Sequence, residues 1–173
     1  MKIFIGCSSK NEIDKKYLDL TEKVCEDLSQ NNDLVFGADS NGMMGICYDV
    51  FKKHKKQITA IVNKKYEYCL NTIDCDKTVV VNDTFDRTQM IYNESDILLI
   101  LPGGIGTFAE LLSILENLRN SNDSKKLIIF NYENYYDNLL GMLNIGVNQK
   151  FINKDDLKYI NIISSLEELR EYI

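Results

Sequence analysis

The chain's one proline, Pro102, stands directly before two adjacent glycines in the run Leu101-Pro102-Gly103-Gly104-Ile105-Gly106-Thr107-Phe108-Ala109-Glu110. Glycines there permit positive φ and let the backbone come close to a ligand. A helix starting at this point would offer free N–H groups and the positive end of its dipole, a combination that suits a phosphate. Thr107 adds a hydroxyl donor and Glu110 a carboxylate. Thr107-x-x-Glu110 is also the spacing of a capping box, in which both side chains merely satisfy the helix's first turn. The two readings are compatible, because a glutamate that reaches back to the helix start also reaches toward whatever binds there.

Other loops carry weaker signals of the same kind. Gly37-Ala38-Asp39-Ser40-Asn41-Gly42-Met43-Met44-Gly45 has the look of a phosphate or ribose cradle, although glycines after strands are common turn formers. Gly6-Cys7-Ser8-Ser9 is a third such loop. Asp86-Arg87 falls at the start of a helix, where a cation opposes the dipole. Either an anion offsets Arg87, or it is a surface residue paired with Asp83 or Asp86.

The elements that must position these residues alternate along the chain. Apolar runs at Ile3 to Ile5, Leu34 to Phe36, Ile58 to Val62, Thr78 to Val81, Ile97 to Leu101, Leu127 to Phe130 and Ile160 to Ile163 read as strands. Between them, helical spacing appears over Ile13 to Leu28, Gly42 to His54, Thr84 to Asn93, a long helix from Gly104, Tyr135 to Val147 and Leu166 to Tyr172. The long helix should bury Phe108, Leu111, Leu112, Leu115 and Leu118. Asn63 to Lys77 shows no period and reads as a loop or an irregular helical turn. Strict alternation predicts an α/β, Rossmann-like fold, with a parallel sheet covered by helices on both faces and residues 1–173 forming one domain. Ligands of such sheets sit at the carboxyl ends of the strands, where all the glycine loops fall.

Composition narrows the function. Twenty Lys and Arg against 26 Asp and Glu give a net charge of −6, which argues against binding nucleic acid by counterion release. The five cysteines are scattered, with no Cys-x-x-Cys pair, and His54 is the only histidine. That reads as reduced thiols without a zinc site, in a cytoplasmic protein. No apolar stretch reaches membrane-spanning length, and the opening run is too short for a signal peptide.

Pro102-Gly103-Gly104-Ile105-Gly106-Thr107-Phe108-Ala109-Glu110 resembles the Pro-Gly-Gly-x-Gly-Thr-x-x-Glu signature of the LOG family, cytokinin-activating phosphoribohydrolases long mislabelled as lysine decarboxylases. The resemblance extends over nearly the whole chain, through Gly6-Cys7-Ser8-Ser9, Gly42-Met43-Met44-Gly45, Asp86-Arg87 and Tyr135-Tyr136 with Leu139-Leu140. It implies a homodimer that cleaves nucleoside 5′-monophosphates, with Arg87 and Glu110 as the catalytic pair. It also implies that Gly103, Gly104, Ile105, Gly106 and Thr107 hold the 5′-phosphate, with Glu67 and Thr88 among the substrate contacts. Three positions depart from the family pattern: Thr88 replaces a lysine, Gly37-Ala38-Asp39 a triple glycine, and Glu116 a threonine. The resemblance therefore implies activity without implying cytokinin specificity.

Such a cleavage needs a carboxylate to stabilise an oxocarbenium-like state or to activate water, and no metal or redox cofactor. A second reading keeps the same fold as a sensor or carrier that holds a nucleotide without cutting it. A pyridoxal-phosphate decarboxylase would need a Schiff-base lysine, and the glycine loops contain none. A serine triad would depend on His54, which lies inside a run of lysines.

Overall fold

The computed structural model describes residues 1–121 and 123–173. The chain runs β1 (Lys2–Gly6), α1 (Lys15–Leu28), β2 (Asp33–Phe36), α2 (Gly42–Lys53), β3 (Ile58–Asn63), β4 (Lys77–Val81), α3 (Thr84–Glu94), β5 (Ile97–Ile100), α4 (Ile105–Asn120), β6 (Lys126–Phe130), α5 (Asp137–Asn148), β7 (Ile160–Ile163) and α6 (Leu166–Arg170). The seven strands form one sheet in the order β4-β3-β2-β1-β5-β6-β7, and every pairing is parallel.

Side chains alternate across a strand, so a strand buried on both faces must be apolar throughout. β1 shows this directly. Ile3 and Ile5 pack into a core with Val24, Leu28, Met43, Phe51 and Leu169, from α1, α2 and α6. Phe4, between them, enters a second core with Ile91, Leu111, Ile114 and Leu118, from α3 and α4. Each fully buried side chain of this size contributes about 1.5–3 kcal/mol through removal from water, and both cores depend on the same central strands.

This arrangement creates the crevice. β1 lies between β2 and β5. The chain leaves β1 toward α1 on one face and β5 toward α4 on the other, so the two connections diverge at the sheet's carboxyl edge.

Asn63 to Lys77 holds an irregular helical segment, one of the two forms expected: a nine-residue 3-10 helix, Lys64–Thr72, none of whose residues is fully buried. With only Leu70 packed against the core, it leaves no apolar period in the sequence. Two other local expectations are corrected. On α4, Leu112 is 43% exposed while Ile114 is fully buried, and Phe108 only packs against the edge of the core. The helix placed at Tyr135 starts at Asp137, after a short 3-10 turn, Tyr132–Asn134, that contains the positive-φ residues Glu133 and Asn134.

Two glycines make opposite predictions. Gly42 opens α2 at φ 56, its N–H donates to Asn11 Oδ1 at 2.7 Å, and an added Cβ would lie 2.5 Å from the Lys10 carbonyl oxygen. Gly141, within α5, has nothing within 4 Å of that position. In urea unfolding, Gly42→Ala is expected to destabilise by more than about 1 kcal/mol, and Gly141→Ala to stabilise by about 0.5–1 kcal/mol.

Candidate active site

A cleft of roughly 990 Å³ opens where β1, β2, β3 and β5 end, and it gathers Ser8, Asp39, Arg87, Gly104 to Thr107 and Glu110. Another depression, beside α1 and α6, is lined mainly by charged side chains such as Lys15, Asp19 and Glu22, and none of the glycine turns reaches it.

The turn after β5 is built to leave donors open. Gly104 is the N-cap of α4 and offers no side chain to cap it. The Phe108 N–H donates to the Gly104 carbonyl at 3.0 Å. The N–H groups of Ile105, Gly106 and Thr107 lie ahead of that bond and have no intrahelical acceptor. Gly104, Ile105 and Gly106 are exposed at the cleft, Ile105 to 87%. Gly103 is buried behind them. A Cβ there would lie 2.2 Å from Thr107 Oγ1, and its carbonyl accepts from the Tyr135 hydroxyl at 2.6 Å. The Tyr136 hydroxyl donates to the Leu101 carbonyl at 2.7 Å; burial above all pushes this phenol far up, keeping it a donor.

The capping-box reading of Thr107 and Glu110 does not hold. With Gly104 as N-cap, Thr107 is the third helical residue, and its hydroxyl donates to the Cys7 carbonyl at 3.3 Å. Glu110 points to another helix.

Its partner is Arg87, one turn into α3. Arg87 Nε donates to the Ile61 carbonyl of β3 at 3.0 Å, and Nη1 donates to Glu110 Oε1 at 2.5 Å. The side chains are 15% and 7% exposed. Gly37 makes this route passable, since a Cβ there would lie 2.4 Å from Arg87 Nη2. Arg87 therefore pairs with neither Asp83 nor Asp86. Asp83 instead caps α3 by accepting from the Phe85 N–H at 2.7 Å.

Two expected contacts are not brought to the cleft. Glu67 sits on the 3-10 helix but pairs with Lys64, outside the lining. Thr88 is buried, and its hydroxyl donates to the Thr84 carbonyl at 3.2 Å. Glu116 lies far along α4, where it accepts from Arg119 at 2.8 Å. In their place the cleft is lined by Lys10, Asn11, Tyr66 and Tyr68. Asn11 was legible only through its bonds to Asn41 and Gly42, and the tyrosines sat in the segment without a period. Lys10 lies one residue past the Gly6 loop, so a lysine does line the cleft. It is exposed, without the apolar enclosure that activates a Schiff-base lysine.

Cys7, Cys25 and Cys47 are buried free thiols. Cys25 and Cys47 have their sulfurs 3.5 Å apart, and burial holds the Cys25 thiol up. Among the described residues no group of His, Cys, Asp or Glu is placed to hold a metal ion, and no helix is long and apolar enough to cross a membrane.

Fold and cleft together define a Rossmann-like α/β protein, with an open helix N-terminus and a buried Arg–Glu pair at the switch point of its sheet. The chain belongs to the LOG family, whose model, described as "Possible lysine decarboxylase", matches residues 43–173. It is 29% identical to a cytokinin riboside 5′-monophosphate phosphoribohydrolase of Arabidopsis thaliana, over 96% of this chain and 78% of that protein. A second Arabidopsis thaliana protein of that name is 27% identical, over 99% of this chain and 82% of its own length. Among solved structures, the molybdenum cofactor binding protein from Rippkaea orientalis is similar with a TM-score of 0.70 at 18% identity, covering 99% of this chain and 93% of that one. At that identity the likeness is one of fold.

Burial of the Arg87–Glu110 pair makes its loss measurable without any substrate. Removing one partner leaves the other charge buried and alone, so Arg87→Ala is expected to cost about 3 kcal/mol. The double substitution Arg87→Met with Glu110→Leu removes both charges and should recover most of that loss in urea unfolding. Additive losses in the double variant would show that the two side chains do not interact.

Proposed function

We propose that the protein hydrolyses the N-glycosidic bond of nucleoside 5′-monophosphates, AMP or an N6-modified AMP, to the free base and ribose 5-phosphate. The observation that carries this reading is that α4 supplies both the open N–H groups and, one turn on, the carboxylate. At about 1.5 Å rise per residue, Glu110 lies about 4.5–7.5 Å along the axis from the N–H groups of Ile105 to Thr107. That separation is on the scale of a ribose between its 5′-phosphate and its anomeric carbon.

In this reading the phosphate docks on the N-terminus of α4, and its binding energy holds the sugar in place remotely from the bond that breaks. Arg87 orients Glu110 through Oε1. Among the described residues Oε2 makes no hydrogen bond within the protein, which leaves it for the sugar or for water. As the C–N bond breaks, its electron pair leaves with the base and positive charge develops on the ribose, which the carboxylate stabilises. Water adds to the anomeric carbon and gives up a proton to Glu110, and that proton then passes to the departed base, which restores the carboxylate and leaves the neutral free base. The relatives' names support the substrate class.

The second reading is a binder that holds the nucleotide uncut. What favours it is that a solved structure named as a molybdenum cofactor binding protein has the same fold.

We also propose a homodimer formed through α3 and α4, whose outer faces expose Phe85 to 79% together with Leu112. Light scattering should give twice the 20.0 kDa chain mass; a 20.0 kDa particle at micromolar concentration overturns it. The five unpaired thiols support a reducing, cytoplasmic setting.

The deciding assay incubates the protein with AMP and with adenosine and follows adenine and ribose 5-phosphate. Each charge-assisted bond to phosphate is worth about 1.5–3 kcal/mol. Adenosine should therefore react at least a hundredfold more slowly, with free phosphate competing against AMP. Glu110→Gln should bind AMP but turn it over at least a hundredfold more slowly. AMP bound and recovered intact by the wild type would select the binder, and equal rates on adenosine would remove the phosphate site from α4.

A further inference from the structure

Asp39 is an acid in a cleft whose α4 turn is arranged for an anion. It follows β2, lines the same cleft as Arg87 and Glu110, and comes directly after Ala38, which is held at φ 64. Its Oδ1 accepts from both the N–H and the Nδ2 of Asn41, each at 2.9 Å. Among the described residues, Oδ2 has no hydrogen bond and no lysine or arginine pairs with the carboxylate. Two neighbouring groups feel its charge, a thiol and a phenol. Burial first, then the Asp39 charge, pushes the Cys69 thiol up; Tyr68 is raised chiefly by Cys69, with Asp39 adding to the effect.

A carboxylate without a cation only accepts hydrogen bonds, so its partner on a ligand must donate. On a nucleoside monophosphate the phosphate repels it, and the available donors are the sugar hydroxyls and a base amino group. Position selects between these. The sheet order places β2 two strands from β5, roughly 10 Å at about 4.8 Å per strand. A phosphate on α4 and an anomeric carbon near Glu110 bring the sugar's hydroxyl edge toward the intervening floor.

We propose that Asp39 accepts from the ribose hydroxyls and makes the cleft selective for ribonucleotides over 2′-deoxyribonucleotides. The inference rests on the nucleotide reading above and adds the sugar to it.

The experiment compares AMP with dAMP for the wild type and for Asp39→Asn. Asparagine keeps an oxygen to accept from Asn41 and replaces the free one with a donor. One charge-assisted bond corresponds to a roughly ten- to hundredfold preference. The wild type should show that ratio in kcat/KM, and the variant, folded by circular dichroism, should bring it close to one by slowing AMP. In parallel, calorimetry with ribose 5-phosphate and 2-deoxyribose 5-phosphate reads the preference without turnover and without a base. If neither nucleotide is cleaved, the hydrolase reading fails while calorimetry still decides the role of Asp39. No preference between the two sugar phosphates, no binding of either, or a preference that survives Asp39→Asn overturns the proposal. Loss of selectivity between the nucleotides alone, with the sugar phosphates unaffected, would move the Asp39 contact to the base and overturn it as well.

Discussion

Arg87 is fixed by three parts of the molecule that are far apart in sequence. Its Nε is tied to a β3 carbonyl, its Nη1 to Glu110 on α4, and its other nitrogen passes Gly37 where a side chain would block it. A charge this largely removed from water is best tolerated when its bonds are made, and these bonds tie α3 to both β3 and α4. The anchoring also fixes where Glu110 points. Gly104 takes the cap of α4, so Glu110 lies beyond the first turn and out of reach of that helix's own N-terminus. Arg87 holds the carboxylate at the cleft, and the glycine cap leaves the α4 donors open beside it. The ion pair and the open helix N-terminus thus meet in one cleft.

The sequence displayed the parts of the fold that depend on burial. The inner apolar runs stood out because strands covered on both faces must be apolar throughout, while the edge strands β4 and β7 stay partly exposed; Pro102 with its glycines marked the chief turn, where Gly103 is held to glycine by Thr107. What stayed hidden depends on distance in the chain. Asp83 and Asp86 were the visible candidates to pair with Arg87, and nothing in the spacing pointed to Glu110, 23 residues away; only the family resemblance put the two together. Thr107-x-x-Glu110 had capping-box spacing, yet the chain leaves β5 so that Gly104 takes the cap. Glu67 and Thr88 were placed by resemblance alone. The first lies on a helix with no fully buried residue, and the second has its hydroxyl bound to its own helix. Tyr66 and Tyr68 went unseen for the same reason as that helix: an unburied segment imposes no period on its residues.

The fold by itself does not choose between holding a nucleotide and cutting it, since a molybdenum cofactor binding protein shares it at 18% identity. The choice falls to the charges in the cleft. A helix N-terminus can hold a phosphate without help from any carboxylate, and a carboxylate one turn away works against it. Two unit charges 4 Å apart interact by about 1–4 kcal/mol between fully aqueous and near-surface conditions, and at the somewhat longer separation here the repulsion is smaller but still unfavourable. A site that only bound the ligand would gain affinity by losing Glu110. The chain instead retains the acid, buries it, and offsets its charge with Arg87, which needs a glycine at position 37 to reach it. An unfavourable group kept at this cost beside the anion turn is what a reaction developing positive charge on the sugar would require, and the hydrolase reading is therefore the one the cleft favours.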